Sequence, residues 1–242
     1  MPNRNQPQSN PLNPQIRLNK FLAERLGISR READGLIESG SVLVSGKTAS
    51  IGERVDKTQE VCYNGKSIPF SLDFTYLALN KPIGYVCSKK RQDDTPTVYE
   101  LLPKEFKSLK TVGRLDKDSS GLILFTNDGD FAFQMTHPSF SKTKIYHVTL
   151  DRNLEPLHQQ MIADYGIRLS DGVSKLGLVK LNSDESRKRN KFEVTMSEGR
   201  NRQIRRTFEA LGYHVAKLHR IGFGKYNLGT LAPGEYCLIE KL

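Results

Sequence analysis

Tryptophan is absent from the 242-residue chain, so phenylalanine, tyrosine and the aliphatic residues must fill any core. Cysteine is scarce. Cys62, Cys87 and Cys237 are widely spaced, odd in number and form no CxxC pair, which argues against a disulfide framework and for buried free thiols in a reducing compartment. Long apolar runs are missing as well: Leu122 to Phe125 is typical, far short of the ~20 residues that span a bilayer. The N-terminus has no apolar signal core, which speaks against export and for the cytoplasm. Neither GxxxxGK[ST] nor GxGxxG occurs, and His137, His147, His158, His214 and His219 lack metal-ligand spacing. No metal and no nucleotide cofactor are therefore predicted. Ser139-Phe-Ser-Lys142 has the Ser-x-x-Lys form of some acyl-transfer enzymes but none of its companion motifs.

What the chain does have is positive charge. Its 37 Lys and Arg against 27 Asp and Glu give a formal charge of +10. Without an amphipathic lipid-binding helix, so basic a chain points to nucleic acid as its partner.

Residues Met1 to Gln15 place four prolines among Asn and Gln and have almost nothing to bury, which predicts a disordered arm. From Arg17, the apolar residues Leu18, Phe21, Leu22 and Leu26 recur at helical spacing, and Gly27 supplies a stop. Ser29-Arg-Arg-Glu32 has the form of a capping box for a second helix, which Gly40 ends. Val42–Val44, a turn at Ser45-Gly46-Lys47 and Thr48-Ala49 read as strand, turn, strand. Val61–Tyr63, Asn64-Gly65 and Lys66–Ile68 read as a type I′ hairpin. The predicted first domain covers 16–70. Arg17, Lys20, Arg25, Arg30 and Arg31 lie off the apolar stripes of its helices and Lys47 in the following turn, a concentration that predicts a phosphate-contacting surface.

After a linker at Pro69 to Asp73, residues 74–242 are strand-rich. Strands are predicted at Tyr76–Leu79, Gly84–Cys87, Leu122–Phe125, Tyr146–Leu150, Leu176–Leu181 and Phe192–Met196, with a charged hairpin tip over Ser183 to Lys191. Helices are predicted at Val98–Leu102, from Phe131 to Met135, at Leu154–Ile162 and at Gln203–Leu211. Strands not interleaved regularly with helices favour an α+β domain.

Two constellations could carry chemistry. Gly113-Arg-Leu-Asp-Lys-Asp-Ser119 precedes the apolar strand; Asp116 sits where a rigid strand would hold it, and the local sequence leaves both a catalytic and a turn role open. Asp118 is a loop residue of undetermined purpose, while Asp128 and Asp130 flank Gly129 and read as turn residues. Near the C-terminus, Asn201 is placed to cap a helix whose first turns carry Arg202, Arg205 and Arg206. Cations crowded at a helix N-terminus oppose its dipole, so phosphates or a carboxylate should complete the arrangement.

The stretches Leu79-Asn-Lys-Pro-Ile-Gly84, Gly113–Gly129, Lys144-Ile-Tyr-His-Val148 and Gly199-Arg-Asn-Arg-Gln-Ile-Arg-Arg206, in this order, resemble the RsuA-type pseudouridine synthases, which isomerise uridine in ribosomal RNA. Residues 16–60 resemble the α-L RNA-binding motif that precedes the catalytic domain in that family. Ile145 and Thr207 depart from the family pattern, at positions without chemical roles. The resemblance implies an α+β protein: a small N-terminal α-L RNA-binding domain followed by a mixed, mainly antiparallel-sheet catalytic domain. It implies that Asp116 is the catalytic aspartate, Tyr146 the residue stacking on the target base and Arg205 the aspartate's ion-pair partner.

The reaction cuts the N1–C1′ bond, rotates the uracil and joins C5 to C1′, with no cofactor. Attack at C1′, addition at C6 and proton removal from C2′ all remain open routes for Asp116. The target base must leave its stack, with Arg114 or Arg202 holding backbone phosphates or filling the vacated space and Arg206 adding to the basic surface. The implied partner is ribosomal RNA or a pre-ribosomal particle, met by a monomer. The Gly113–Ser119 and Ala49–Gly52 wording leans toward the large subunit. Rival readings are a non-catalytic RNA-binding or assembly factor on the same scaffold, and a carboxylate-dependent RNA glycosidase.

Overall fold

The computed structural model describes residues 14–181 and 190–242; the arm before residue 14 and most of the charged tip expected over 183–191 lie outside the described residues. The chain forms two compact units, one ending at Phe74 and one beginning at Thr75.

In the first unit, helices Leu18–Arg25 and Arg30–Glu38 bury Leu18, Phe21, Leu22, Ala33 and Ile37 in one cluster with Val42 and Val61. The second helix begins as its sequence dictates: Glu32 N–H donates to Ser29 Oγ at 3.1 Å, and Ser29 N–H donates to Glu32 Oε2 at 2.7 Å. Strands Val42–Val44, Lys47–Thr48, Val61–Tyr63 and Lys66–Ile68 form a four-stranded antiparallel sheet. Asn64 and Gly65 both take positive φ (48° and 73°), as a type I′ turn requires. Lys47 belongs to a strand, a correction to its expected place in the turn: the positive-φ pair is Ser45 and Gly46.

The second unit is built on a nine-stranded mixed sheet. Its pairings are antiparallel except one parallel contact between Ser120–Thr126 and Val215–Phe223. Ser120–Thr126 is wholly apolar between Gly121 and Phe125 because both its faces are covered. Ile123 and Phe125 join the larger core with Ile204 and Phe208 of the helix Gln203–Glu209. Leu122 and Leu124 join Phe131 and Met135 of the helix Gly129–Thr136. At the parallel contact the chains nearly touch: a Cβ on Gly121 would lie 2.2 Å from the Arg220 carbonyl oxygen. The expected strands at Tyr76–Leu79 and Gly84–Cys87 differ most from the structure. Tyr76 to Lys81 is one continuous strand, since Asn80 and Lys81 still pair with Leu122 and Gly121. Gly84–Cys87 forms no strand and keeps only a single bridge from Val86 to Thr97. Asp128 is more than a turn residue: it N-caps the Gly129–Thr136 helix and accepts from the Tyr76 hydroxyl and Lys241.

Candidate active site

The loop 113–119 joins strand Lys110–Val112 to strand Ser120–Thr126. The preceding segment grips it from one side at alternate residues. Leu115 N–H donates to Cys87 Sγ (3.4 Å), Gly84 N–H donates to the Lys117 carbonyl (2.8 Å), and Lys81 Nζ donates to the carbonyls of Ser119 (2.5 Å) and Pro82 (3.0 Å). Arg114, Leu115, Asp116 and Ser119 of this loop line a cavity of about 470 Å³. The loop ends in a turn closed by Ser119 N–H donating to the Asp116 carbonyl (3.1 Å), which fixes the backbone that carries Asp116.

Facing this loop is the start of the helix Gln203–Glu209. The expectation that Asn201 caps it is corrected: the cap position is Arg202, in the left-handed region at φ 46° and with no side-chain cap bond. Gln203 Oε1 instead accepts from Arg200 N–H. The carboxylate that answers the cationic helix start is Asp118, which accepts from both terminal nitrogens of Arg202 at 3.0 Å. Asp116 Oδ2 lies 3.7 Å from Arg202. Arg205 also turns to Asp118 rather than to Asp116 as expected: its Nε lies 3.3 Å from Asp118 Oδ2 without hydrogen-bond alignment. Its Nη groups donate to the Val215 carbonyl (2.7 Å) and the Asp118 carbonyl (2.9 Å). Its burial behind the loop sets this choice, since that position faces Asp118, the Ser119 hydroxyl and the Val215 carbonyl. Arg206 is likewise committed elsewhere, to Asp171 at 3.1 and 2.6 Å, and does not line the cavity.

Tyr146 enters from the strand Lys144–Leu150, which places its buried ring on the cavity wall beside its register partner Arg220. A β-bulge between Ile145 and Tyr146 sets this pairing. Arg220 is 2 % exposed, donates from Nε to the Leu122 carbonyl at 2.7 Å and lies over the Phe223 ring. Asp116, Tyr146, Arg114 and Arg202 thus share one cavity, while Arg205 braces it from behind.

The electrostatics follow from burial and pairing. Burial pushes the Asp118 carboxyl upward, but hydrogen bonds from Arg202 and the charges of Arg205 and Arg202 outweigh it, leaving the group below the ordinary carboxylate value. Burial pulls the Lys81 ammonium down to about 8 against the opposing influence of Cys87, Asp116 and Asp118. Lys144, also on the wall, is lowered by burial and by Arg220. Lys81 and Arg220 were not singled out from the sequence. A lysine or arginine within a strand reads as a solvated edge residue, and only the carbonyls that the fold brings to it reveal its burial.

In the first unit, Arg17, Arg30, Arg31 and Lys47 are exposed, and Lys20 lies 3.9 Å from Glu24. Arg25 does not belong with them, a correction to the expected basic surface. Its guanidinium donates to the carbonyls of Pro69 (3.0 Å from Nε) and Phe70 and lies over the Phe21 ring, because the start of the linker folds back onto this helix. Among the described residues, no group of three or more His, Cys, Asp or Glu is placed to hold a metal, and no helix is long and apolar enough to cross a membrane.

A basic two-helix unit, and a mixed sheet that holds a carboxylate, an aromatic ring and arginines around one cavity, define an RNA-modifying enzyme with a separate RNA-binding module. Residues 75–210 match the RNA pseudouridylate synthase model and residues 16–66 the S4 domain, and the chain belongs to the RNA pseudouridylate synthase family. It is 36% identical to ribosomal small subunit pseudouridine synthase A of Pasteurella multocida, over 91% of this chain and 94% of that one. It is 35% identical to ribosomal large subunit pseudouridine synthase B of Buchnera aphidicola, over 93% and 94%. A crystal structure of a pseudouridylate synthase superposes with a TM-score of 0.65 at 32% identity, covering 93% of this chain and 96% of that one. The chain is accordingly an isomerase that forms pseudouridine in RNA, and its α+β, mainly antiparallel architecture is that of the family.

Proposed function

We propose that the protein isomerises a uridine of ribosomal RNA in the cytoplasm, with Asp116 as the catalytic carboxylate and the target base flipped into the cavity. The observation that carries this reading is the shared lining: Asp116, Tyr146 and Arg202 border one 470 Å³ space, large enough for a nucleotide base with its ribose. Asp116 presents its carboxylate to the ribose and base. The Tyr146 ring offers a face on which detached uracil stays stacked while it rotates. Arg114 is exposed at the rim, placed for a backbone phosphate next to the extruded nucleotide. Arg205 is a positioning residue that acts through Asp118. The exposed Arg17, Arg30, Arg31 and Lys47 of the S4 unit supply non-specific phosphate contacts.

The test is tritium release from [5-³H]uridine-labelled ribosomal RNA. The small-subunit and large-subunit relatives match at 36% and 35%, so both RNAs enter the assay. Asp116→Asn should lower turnover about a thousandfold or more while RNA affinity stays within about twofold, since the isosteric amide keeps the pocket but not the carboxylate chemistry. Near-normal turnover in this variant, or wild-type protein that binds ribosomal RNA without converting any uridine, would overturn the proposal.

A further inference from the structure

Beside the cavity, three aromatic rings stand together at the surface. Phe133 and Phe140 are 51% and 45% exposed, although the helix that carries Phe133 turns Phe131 and Met135 into the core. Phe133 and His137 are four residues apart, which brings their rings to 4.6 Å across one helical turn. The 3₁₀ turn Pro138–Phe140 then swings Phe140 back, edge-on to Phe133 at 5.9 Å. Two local features fix that turn. Ser141 takes the left-handed conformation at φ 45° while its N–H donates to the Pro138 carbonyl. His137 Nδ1 accepts from Ser139 N–H and meets the Ser139 hydroxyl at 2.7 Å, which locks the imidazole.

The cluster is continuous with the cavity. His137 and Pro138 are part of the cavity wall, and the chain beyond Phe140 returns through Lys142 and Lys144 to Tyr146, all on the same wall. Lys144 Nζ is engaged by the Lys142 and Glu198 carbonyls, which leaves the Lys142 ammonium for a phosphate. Exposed rings held rigid beside such a cation are the combination that stacks an unpaired base while gripping its phosphate. A protein partner would use the apolar area but has no need of a flat π face beside cationic side chains that lead into a nucleotide-sized pocket.

We infer that Phe133, His137 and Phe140 form a stacking platform for an unpaired base next to the target uridine in the substrate strand. The inference rests on the proposed function for the identity of the strand. It gives the enzyme a second base contact outside the cavity, one that holds the substrate strand open once the target has left its stack.

The experiment compares Phe133→Leu/Phe140→Leu with Phe133→Tyr/Phe140→Tyr, in the full chain, with unmodified [5-³H]uridine-labelled ribosomal RNA. Both side chains stand outside the core, so neither pair empties packed space. Leucine keeps the apolar contact but loses the π face. The leucine pair should raise KM about tenfold with kcat within about threefold of wild type, and the tyrosine pair should restore KM. Unchanged KM in the leucine pair overturns the inference. So does a self-associating wild type, seen by sedimentation, whose dimer the leucine pair retains and Phe133→Ser/Phe140→Ser dissolves, because the patch would then be an interface between copies. If wild type released no tritium, the proposed function would fail by itself. Filter binding of the same RNA to the leucine and tyrosine pairs would still decide the platform, with about tenfold weaker retention by the leucine pair expected.

Discussion

Arg202 grips both oxygens of Asp118 at 3.0 Å yet stands 3.7 Å from Asp116, so the arginine beside the proposed catalytic carboxylate is held by the carboxylate two residues past it. This division of labour leaves Asp116 beside a positive charge without a tight bond to it, free to meet a substrate. The Arg202 backbone sits at a positive φ that an arginine rarely adopts, and the bidentate bond to Asp118 helps hold it there.

Asp118→Ala should therefore act on the chemical step more than on stability. The Arg202–Asp118 pair is nearly half exposed on both sides, which limits its worth to about 1 kcal/mol or less. Buried Arg205 keeps the Val215 and Asp118 backbone carbonyls as acceptors when the carboxylate is removed. Released, Arg202 shifts toward Asp116, and single-turnover tritium release should slow about tenfold with RNA KM little changed. Asp118→Asn keeps an acceptor for the arginines and should recover part of the rate. A rate loss fully explained by the unfolded fraction in a thermal melt would reduce Asp118 to a structural residue.

The basic residues of the S4 unit divide by what their side chains touch. Replacing Arg30, Arg31 and Lys47 together by Gln should weaken ribosomal RNA binding and lower the slope of log K against log salt by about 2 to 3. Arg25→Gln should leave that slope unchanged and instead cost about 1–3 kcal/mol, because it abandons the Pro69 and Phe70 carbonyls. Salt-dependent filter binding and denaturant melts separate the two outcomes.

Gly121 is a steric test of the parallel contact that joins the two halves of the sheet. Its φ is 104°, and a Cβ would come within 2.9 Å of three Arg220 backbone atoms, none of which can yield without breaking the strand pairing. Gly121→Ala should cost about 4 kcal/mol or more, read as loss of soluble protein or a sharply lowered melting temperature.

How much of this was legible in the sequence depended on the distance between partners. The capping box at Ser29 and Glu32 and the Asn64-Gly65 turn are local devices, and both occur in the structure as the sequence predicts. Asp116 stood out because a short motif carried it. The acceptor of Arg202 did not, since Asp118 lies 84 positions away and reads locally as a loop residue. Lys81 and Arg220 were hidden for the same reason. Their carbonyl partners at Ser119 and Leu122 are 38 and 98 positions distant, and only strand pairing brings them together. Arg25 erred in the other direction: off the apolar stripe of its helix it read as a surface cation, until the linker closed over it.

Lys81 makes the last prediction, one of pH. Its side chain is completely buried behind the Asp116 loop, and burial lowers its pKa from 10.5 to about 8. Between those values the unfolded chain binds a proton that the folded chain has released, so stability rises with pH across this window. Below pH 8 both states are protonated, and the fold carries the full cost of a buried ammonium. The shift corresponds to up to about 3 kcal/mol. The neutral amine still has N–H groups for the Ser119 and Pro82 carbonyls, so the loop anchors survive deprotonation. Lys81→Met removes both the titration and the anchors. The stability difference, wild type minus Lys81→Met, should therefore grow as pH is raised from 7.5 to 10, in urea melts run in parallel to cancel the titration of all other groups. A pH-independent difference would show that the buried amine keeps its ordinary pKa in the fold.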